Sequence, residues 1–408
     1  MHLLLFLILS TTLASAQRVL RAELYKPTLP TNTSTTYRKR QFNSIITPRP
    51  DRSLYWINIT VGTPGQPQSL QLDTGSRSLW VPAAGSALCA STAVPCDLLG
   101  SFTSSASSTF SDTGTAVTVG FVDGGSVTGN YFYDTVHISN QAVDSQVAIL
   151  GTSGSGLSEG ILGIGFPASY PTLTHNLAAQ GVIASNSYSL WLDSLDATSG
   201  TILFGGLNTA RFIAPLTKIP VVPDSSGAYN AANVQLTRLA TILSGVRTVR
   251  TSSTYSETVL LDTGTTLTVL QNSLASTLVS FFGASYYPSG ATSGNAIIPC
   301  ASASLPRSMN FHFADRTKGP TINVKISELV LQTLGSLDGV EMCQFGIYGA
   351  AASEGLPTIL GDTFLRSAYV VYDLDNNQIG LAQSVLSPGA ANVIEIGAGG
   401  IPVGNTVG

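Results

Sequence analysis

A five-residue run is written twice in this chain, Leu72-Asp73-Thr74-Gly75-Ser76 and Leu261-Asp262-Thr263-Gly264-Thr265, and no other feature restricts the fold as much. Each copy has an apolar lead, Leu70-Gln71-Leu72 or Val259-Leu260-Leu261. Each is followed by a strand-like stretch, Leu79-Trp80-Val81 or Leu267-Thr268-Val269-Leu270. An aspartate at the end of a buried strand is costly unless something satisfies it. The Thr-Gly that follows allows a sharp turn, because glycine tolerates positive φ. Two such turns face to face would hold two carboxylates together. Like charges that close cannot both ionise readily, so they share one proton.

Asp112-Thr113-Gly114-Thr115 spells the run a third time, behind the polar lead Thr109-Phe110-Ser111. It sits in Ser/Thr/Gly-rich sequence and reads as a surface turn, where Asp and Gly are expected for backbone reasons. The tripeptide alone is weak evidence. Its recurrence between apolar flanks in two matching halves is strong.

With these flanks the paired motif resembles the pepsin family of aspartic peptidases, over roughly Tyr55 to Ser384. Further matches are Val61-Gly62-Thr63-Pro64-Gly65-Gln66, Gly160-Ile161-Leu162-Gly163-Ile164-Gly165, Gly200 to Gly206, and Ile359 to Arg366 with Tyr372-Asp373. The resemblance implies a mainly β, bilobal pepsin-like fold: two six-stranded-barrel-type lobes, a cleft between them and few short helices. It implies that Asp73 and Asp262 activate a water for attack on an amide, with no metal or cofactor. Thr74 and Thr263 would brace the turns, Gly75 and Gly264 would form them, and Ser76 and Thr265 would hydrogen-bond the outer carboxylate oxygens. Protein or peptide substrates follow, with a monomer expected.

The four cysteines permit three pairings. Cys89–Cys96 with Cys300–Cys343 keeps each bridge within one lobe and matches the resemblance. Metal binding is disfavoured by the lack of Cys-x-x-Cys and of a histidine cluster. The 408 residues are 43% apolar and only 10% charged, with 40 glycines and 20 prolines, which suits β structure with many turns. There is no basic stripe in the sequence to bind nucleic acid.

Residues 1–16 read as a signal peptide, with an apolar run from Leu3 and the small-residue pattern Ala14-Ser15-Ala16. The run is too short for a membrane anchor, so export is expected. Residues 17–40 read as a propeptide. Arg18, Arg21, Lys26, Arg38, Lys39 and Arg40 stand there against the single acid Glu23. A basic peptide over an acidic cleft, with a cation near the dyad, would hold a precursor inactive; the bland reading is a solvated linker. Lys39-Arg40 marks a site for a dibasic-cutting processing peptidase, giving a start at Gln41. An N-terminal lobe over 41–210, a C-terminal lobe over 211–388 and a flexible Gly-rich tail over 389–408 complete the organisation.

Tyr55 to Val61 alternates as a strand, and Asn58-Ile59-Thr60 is a glycosylation sequon on its more polar face. Val117 to Phe132 reads as a hairpin around Asp123-Gly124-Gly125. Its position resembles the family's flap, with Phe121 and Val122 where tyrosine and glycine are usual. Phe121 cannot donate the hydroxyl that the tyrosine turns toward Trp80. Leu72, Phe121 and Ile161 are expected to line the cleft and favour large apolar side chains. Asp123, with Gln71 and Gly124 beside it, either accepts a basic substrate side chain or merely shapes the turn; both readings stay open. Helical periodicity with glycine stops covers Thr172–Gln180 and Gln271–Phe282.

An endopeptidase is the reading the motifs favour. The rival is a catalytically impaired binding or inhibitor protein on the same fold. Only the flap departures support it, since both motif aspartates are present. No Gly-x-Ser-x-Gly elbow supports a serine hydrolase.

Overall fold

The computed structural model describes residues 17–26, 54–90, 96–122, 124–156, 159–167, 169–386, 389–402 and 404–406. Its strands form a 14-stranded sheet, an 11-stranded sheet and a two-stranded ribbon, with few short helices among the described residues. Glycine and β-branched residues without long helical periodicity lead to this outcome. Among the described residues no helix is long and apolar enough to cross a membrane.

The two motif copies sit in matching settings. Gln66–Asp73 runs parallel to Ile161–Gly163, which also pairs antiparallel with Leu79–Pro82. In the second lobe Glu257–Leu261 runs parallel to Thr358–Leu360, which pairs antiparallel with Thr268–Gln271. In each lobe a short central strand therefore separates the strand entering the motif from the strand leaving it. That forces the Asp-Thr-Gly segment to form a loop. The expected helices form as Leu173–Ala179, capped by Thr172, and Asn272–Phe282, ended by Gly283 at φ 76°. Cys89–Cys96 and Cys300–Cys343 are both bonded.

The lobes meet on a platform where Ala368–Asp373, Ser187–Trp191, Ser199–Phe204 and Leu20–Tyr25 lie side by side. Leu20–Tyr25 belongs to the segment expected to cover the cleft. Its described part instead pairs antiparallel with Ser199–Phe204 along its whole length. The physical reason is its alternation: Leu20, Ala22 and Leu24 are buried, and between them Arg21 and Glu23 pair on the surface. Lys26 donates to the Ser194 and Leu195 carbonyls at 3.2 and 2.7 Å, not to either dyad carboxyl. Burial, helped by the Arg366 charge, pulls its pKa down to about 8. Arg38, Lys39 and Arg40 lie outside the described residues.

The expected flexible tail is also structured over its described residues. Val393–Glu395 pairs with Gly206–Asn208, and Asn405–Thr406 pairs with the Phe212–Pro220 strand. Ile396 and Ile401 are buried among Trp191, Leu216 and Tyr369 on the back of the platform. The apolar residues within the glycine-rich stretch supply the burial that a linker lacks. Ile396→Ala is therefore expected to cost about 2–5 kcal/mol, as for other core truncations. Thermal unfolding checks this. A midpoint within error of wild type would show that the tail lies outside the cooperative unit.

Candidate active site

The motif loops meet at the lobe junction through a crossed set of hydrogen bonds. Thr74 N–H donates to Thr263 Oγ1 at 3.1 Å, and Thr263 N–H donates to Thr74 Oγ1 at 3.0 Å. Each threonine hydroxyl donates onward across the junction, Thr74 to the Leu261 carbonyl at 3.0 Å and Thr263 to the Leu72 carbonyl at 2.8 Å. Both threonines are buried. Four bonds thus fasten each loop to the other lobe, which holds the preceding aspartates at one separation.

Asp73 and Asp262 are both buried, at 6% exposure. Gly75 N–H lies 2.8 Å from Asp73 Oδ1 and 3.1 Å from Asp262 Oδ1, so one donor serves both carboxyls. Gly264 N–H donates to Asp262 Oδ1 at 2.7 Å, and Thr265 Oγ1 donates to Asp262 Oδ2 at 2.6 Å. Ser76 differs from the expectation. Its backbone N–H donates to Asp73 Oδ1 at 3.1 Å, while its hydroxyl makes no hydrogen bond of regular geometry. The hydroxyl still lies near enough to oppose the upward shift of Asp73. That shift is caused first by burial and then by the neighbouring Asp262 carboxylate, and it lifts Asp73 above the usual carboxylate range.

The third copy shows what the tripeptide does without the flanks. Asp112 is exposed, its Oδ1 accepts from Gly114 N–H at 2.9 Å, and the segment is an irregularity in an exposed strand.

The expected hairpin is present, with Ser111–Gly120 paired to Ser126–Ile138. Phe121 N–H donates to the Gly125 carbonyl at 2.9 Å, and Gly124 N–H returns to the Phe121 carbonyl at 3.0 Å. Phe121 packs against a cluster of Trp80, Leu88, Val127, Ile149 and Ile161. Trp80 Nε1 is buried without a hydrogen-bond partner among the described residues, as expected when the hairpin offers a phenyl ring in place of a phenol. Gly124 and Val122 are exposed at the tip. Asp123 lies outside the described residues.

Of the two neighbouring side chains expected at the cleft, one is committed to the core and the other reaches the second motif loop. Leu72 is fully buried in the main core. It follows Gln71 in the strand, so its side chain takes the opposite face. The Gln71 amide donates to the Gly264 carbonyl at 3.1 Å, tying the first lobe to the second motif loop. Asn58 is exposed, and its Oδ1 accepts from Tyr25 and Ser69 at 2.9 and 2.8 Å.

Of three buried groups near the dyad, Tyr188 has no sequence signal, while Asp362 and Tyr372 fall in the C-terminal run that carries the family resemblance, with no role assigned to them there. Tyr188 and Tyr372 stack with centroids 4.7 Å apart, Tyr372 lying beside Thr74. Asp362 is wholly buried with neither carboxyl oxygen hydrogen-bonded, and burial raises its pKa far above the ordinary value. Nearby, Arg366 donates to Glu328 Oε2 at 2.7 Å and to the Glu328 carbonyl at 2.6 Å. The apolar run before Asp362 was the available signal, since a charge inside such a run requires an unusual environment.

Two β lobes that each deliver one carboxyl to a shared, braced junction define the class of bilobal aspartic peptidases. The family model "Eukaryotic aspartyl protease" matches residues 54–384. "Probable aspartic-type endopeptidase opsB" of Aspergillus fumigatus is 37% identical over 360 residues, covering 85% of this chain and 72% of that protein. "Secreted aspartic protease 8" of Candida albicans is 37% identical over 342 residues, covering 81% and 75%. The crystal structure of an aspartic proteinase from Irpex lacteus has the same fold, with a TM-score of 0.64 at 24% identity, covering 84% of this chain and 97% of that one. The chain belongs to the eukaryotic aspartyl protease family and is an aspartic-type endopeptidase.

Proposed function

We propose that the chain is a secreted endopeptidase, active in acid, in which Asp73 and Asp262 together activate the lytic water. The observation that carries this is the Gly75 N–H shared by the two carboxyls. One carboxylate takes a proton from the water while the other, protonated, donates to the scissile carbonyl. The proton belongs to the pair rather than to either residue. An extended peptide would lie as a strand beneath the hairpin. The Phe121, Trp80 and Ile161 cluster supports a preference for large apolar side chains at the cut. A basic side chain opposite Asp123 is the additional option, and Asp123→Ala compared on matched Leu and Lys peptides tests it. Export fits the apolar N-terminus and the printed name of the Candida relative. Cleavage after Arg40 would free Gln41 and require the Leu20–Tyr25 strand to leave its sheet or remain as a bound fragment; N-terminal sequencing of secreted material reads the cut.

Digestion of an unstructured protein across a pH series, with and without pepstatin, tests the reading. Pepstatin-sensitive cleavage that rises toward acid supports it, and no cleavage at any pH sinks it. The sign for stability follows from the raised Asp73 pKa. As pH climbs from the ordinary carboxylate range through that raised value, the unfolded chain has already lost its proton while the native state still holds one. Native stability therefore falls over that window and is unaffected by this group below it. Asp73→Asn removes the dependence. Its melting point should exceed that of wild type by an amount that grows from acid to neutral pH. A difference constant with pH would rule out the shift.

A further inference from the structure

The outer face of the second lobe's sheet carries a charge that the rest of the molecule lacks. Of the eleven basic side chains beyond residue 54, seven fall between residues 238 and 325, against the acids Glu257, Asp262 and Asp315. Residues 54–210 hold Arg77 alone against nine carboxylates.

Strand register gathers several of these cations on one surface, because cross-strand partners project to the same face. Arg247 lies opposite Ile242, Ile242 opposite Ser308, and Ser308 opposite Lys325. A cation therefore stands at each end of a row crossing four strands. Arg238 heads a second row with His312 and Thr321, and Asn310 pairs with Asn323 between the rows. The opposite face, with Leu239, Met309, Phe311 and Val324, is buried core. The cationic face is thus the outer one, and Arg247 and Lys325 are exposed on it. At strand spacings of about 4.8 Å and a rise of about 3.4 Å per residue, Arg238, Arg247 and Lys325 mark out a patch roughly 14 Å on a side.

No carboxylate among the described residues stands within ion-pair distance of these three cations. Arg238 Nε is buried without a partner among the described residues, and after burial the charges that lower the Arg238 pKa are those of Arg247 and Arg316. Cations gathered without counter-charge on an otherwise acidic protein attract an anionic ligand.

We propose that this face docks the protein on a phosphate-bearing polysaccharide. Guanidinium groups match phosphate oxygens in geometry. Under the acid conditions proposed above, on which this choice of anion rests, carboxylates lose their charge. A phosphate ester keeps at least one, its second pKa being about 6. The Asn323 amide is spent on Ser308 Oγ and Asn310 Oδ1 at 2.9 and 2.7 Å, and Thr321 Oγ1 is bonded to His312 Nδ1 at 2.6 Å. The Ser308 and Thr321 hydroxyls and the Asn310 amide nitrogen keep further capacity suited to sugar hydroxyls. Among the described residues in these rows the only ring is the buried His312 imidazole, so the face lacks the platform on which nucleic-acid bases stack.

Retention of the full secreted chain on phosphocellulose, plain cellulose and single-stranded-DNA cellulose tests the proposal. Neutral pH is used, where the formal net charge of −4 opposes bulk binding and the result is independent of any acid optimum. Wild type should be held by phosphocellulose, released by salt, and pass through plain cellulose. Arg247→Glu/Lys325→Glu, at two exposed sites outside the cleft, should elute at roughly half the salt concentration or less. It should cleave a short peptide at the wild-type rate, which shows that it is folded. Unchanged elution of this variant, or passage of wild type through phosphocellulose, overturns the docking face. Tighter retention on DNA than on phosphocellulose overturns the choice of polysaccharide.

Discussion

Asp73→Asn and Asp262→Asn should each lower peptidase activity by at least about 10³-fold, because each removes one partner of a proton-sharing pair that works as a unit. The fold should survive. An asparagine Oδ1 can still accept from Gly75 and Ser76 at position 73, or from Gly75 and Gly264 at position 262. The threonine cross-bonds do not involve the aspartate side chains at all. Asp112→Asn supplies the matched control. It keeps the acceptor for Gly114 N–H on an exposed strand and should leave activity within a factor of about two, as surface substitutions usually do. Initial rates on a peptide substrate decide the matter. Activity within tenfold of wild type in either dyad variant would remove that aspartate from the chemistry.

The dyad was legible because its information is local. The apolar lead of each motif marks a buried strand, and the Asp-Thr-Gly that follows can only be a turn at its end. What was not legible depends on partners far away in the chain. Gln71 looks like a polar interruption in a strand, and nothing near it names Gly264 as its acceptor. The stacking of Tyr188 on Tyr372 is equally non-local. The N-terminal segment is a different case. Its cations suggested a cover for an acidic cleft, yet the alternation of Leu20, Ala22 and Leu24 was visible and is what the sheet uses. The tail is similar: its glycine content suggests a linker, while Ile394, Ile396 and Ile401 pack against the platform. In both segments composition described the solvent-facing residues, while the spacing of a few apolar side chains governed where the chain lies.

Gly75→Ala and Gly264→Ala should be almost as damaging as loss of the aspartates, for a geometric reason that the motif alone does not reveal. A Cβ on Gly75 would lie 2.5 Å from Asp262 Cγ and Oδ1, and one on Gly264 would lie 2.5 Å from Asp73 Oδ1. Each glycine therefore faces the carboxyl delivered by the other lobe. Neither carboxyl can retreat freely, since Asp262 is held by Thr265 and Gly264 and Asp73 by Ser76 and Gly75. The methyl must push the pair apart or strain the junction, and a displacement of about 1 Å at a catalytic group can cost about 10²-fold in rate. The loss should fall on kcat, with KM little changed, because the hairpin and the apolar cluster that would receive the substrate are untouched. Gly114→Ala in the third copy separates this effect from backbone strain. Gly114 has a φ of 67° but open space around its Cβ position. That substitution should cost about 1–2 kcal/mol of stability, as a left-handed residue does, and leave kcat unchanged. If Gly75→Ala and Gly264→Ala behave like Gly114→Ala, the close approach of the two carboxyls across the lobes is not what the reaction requires.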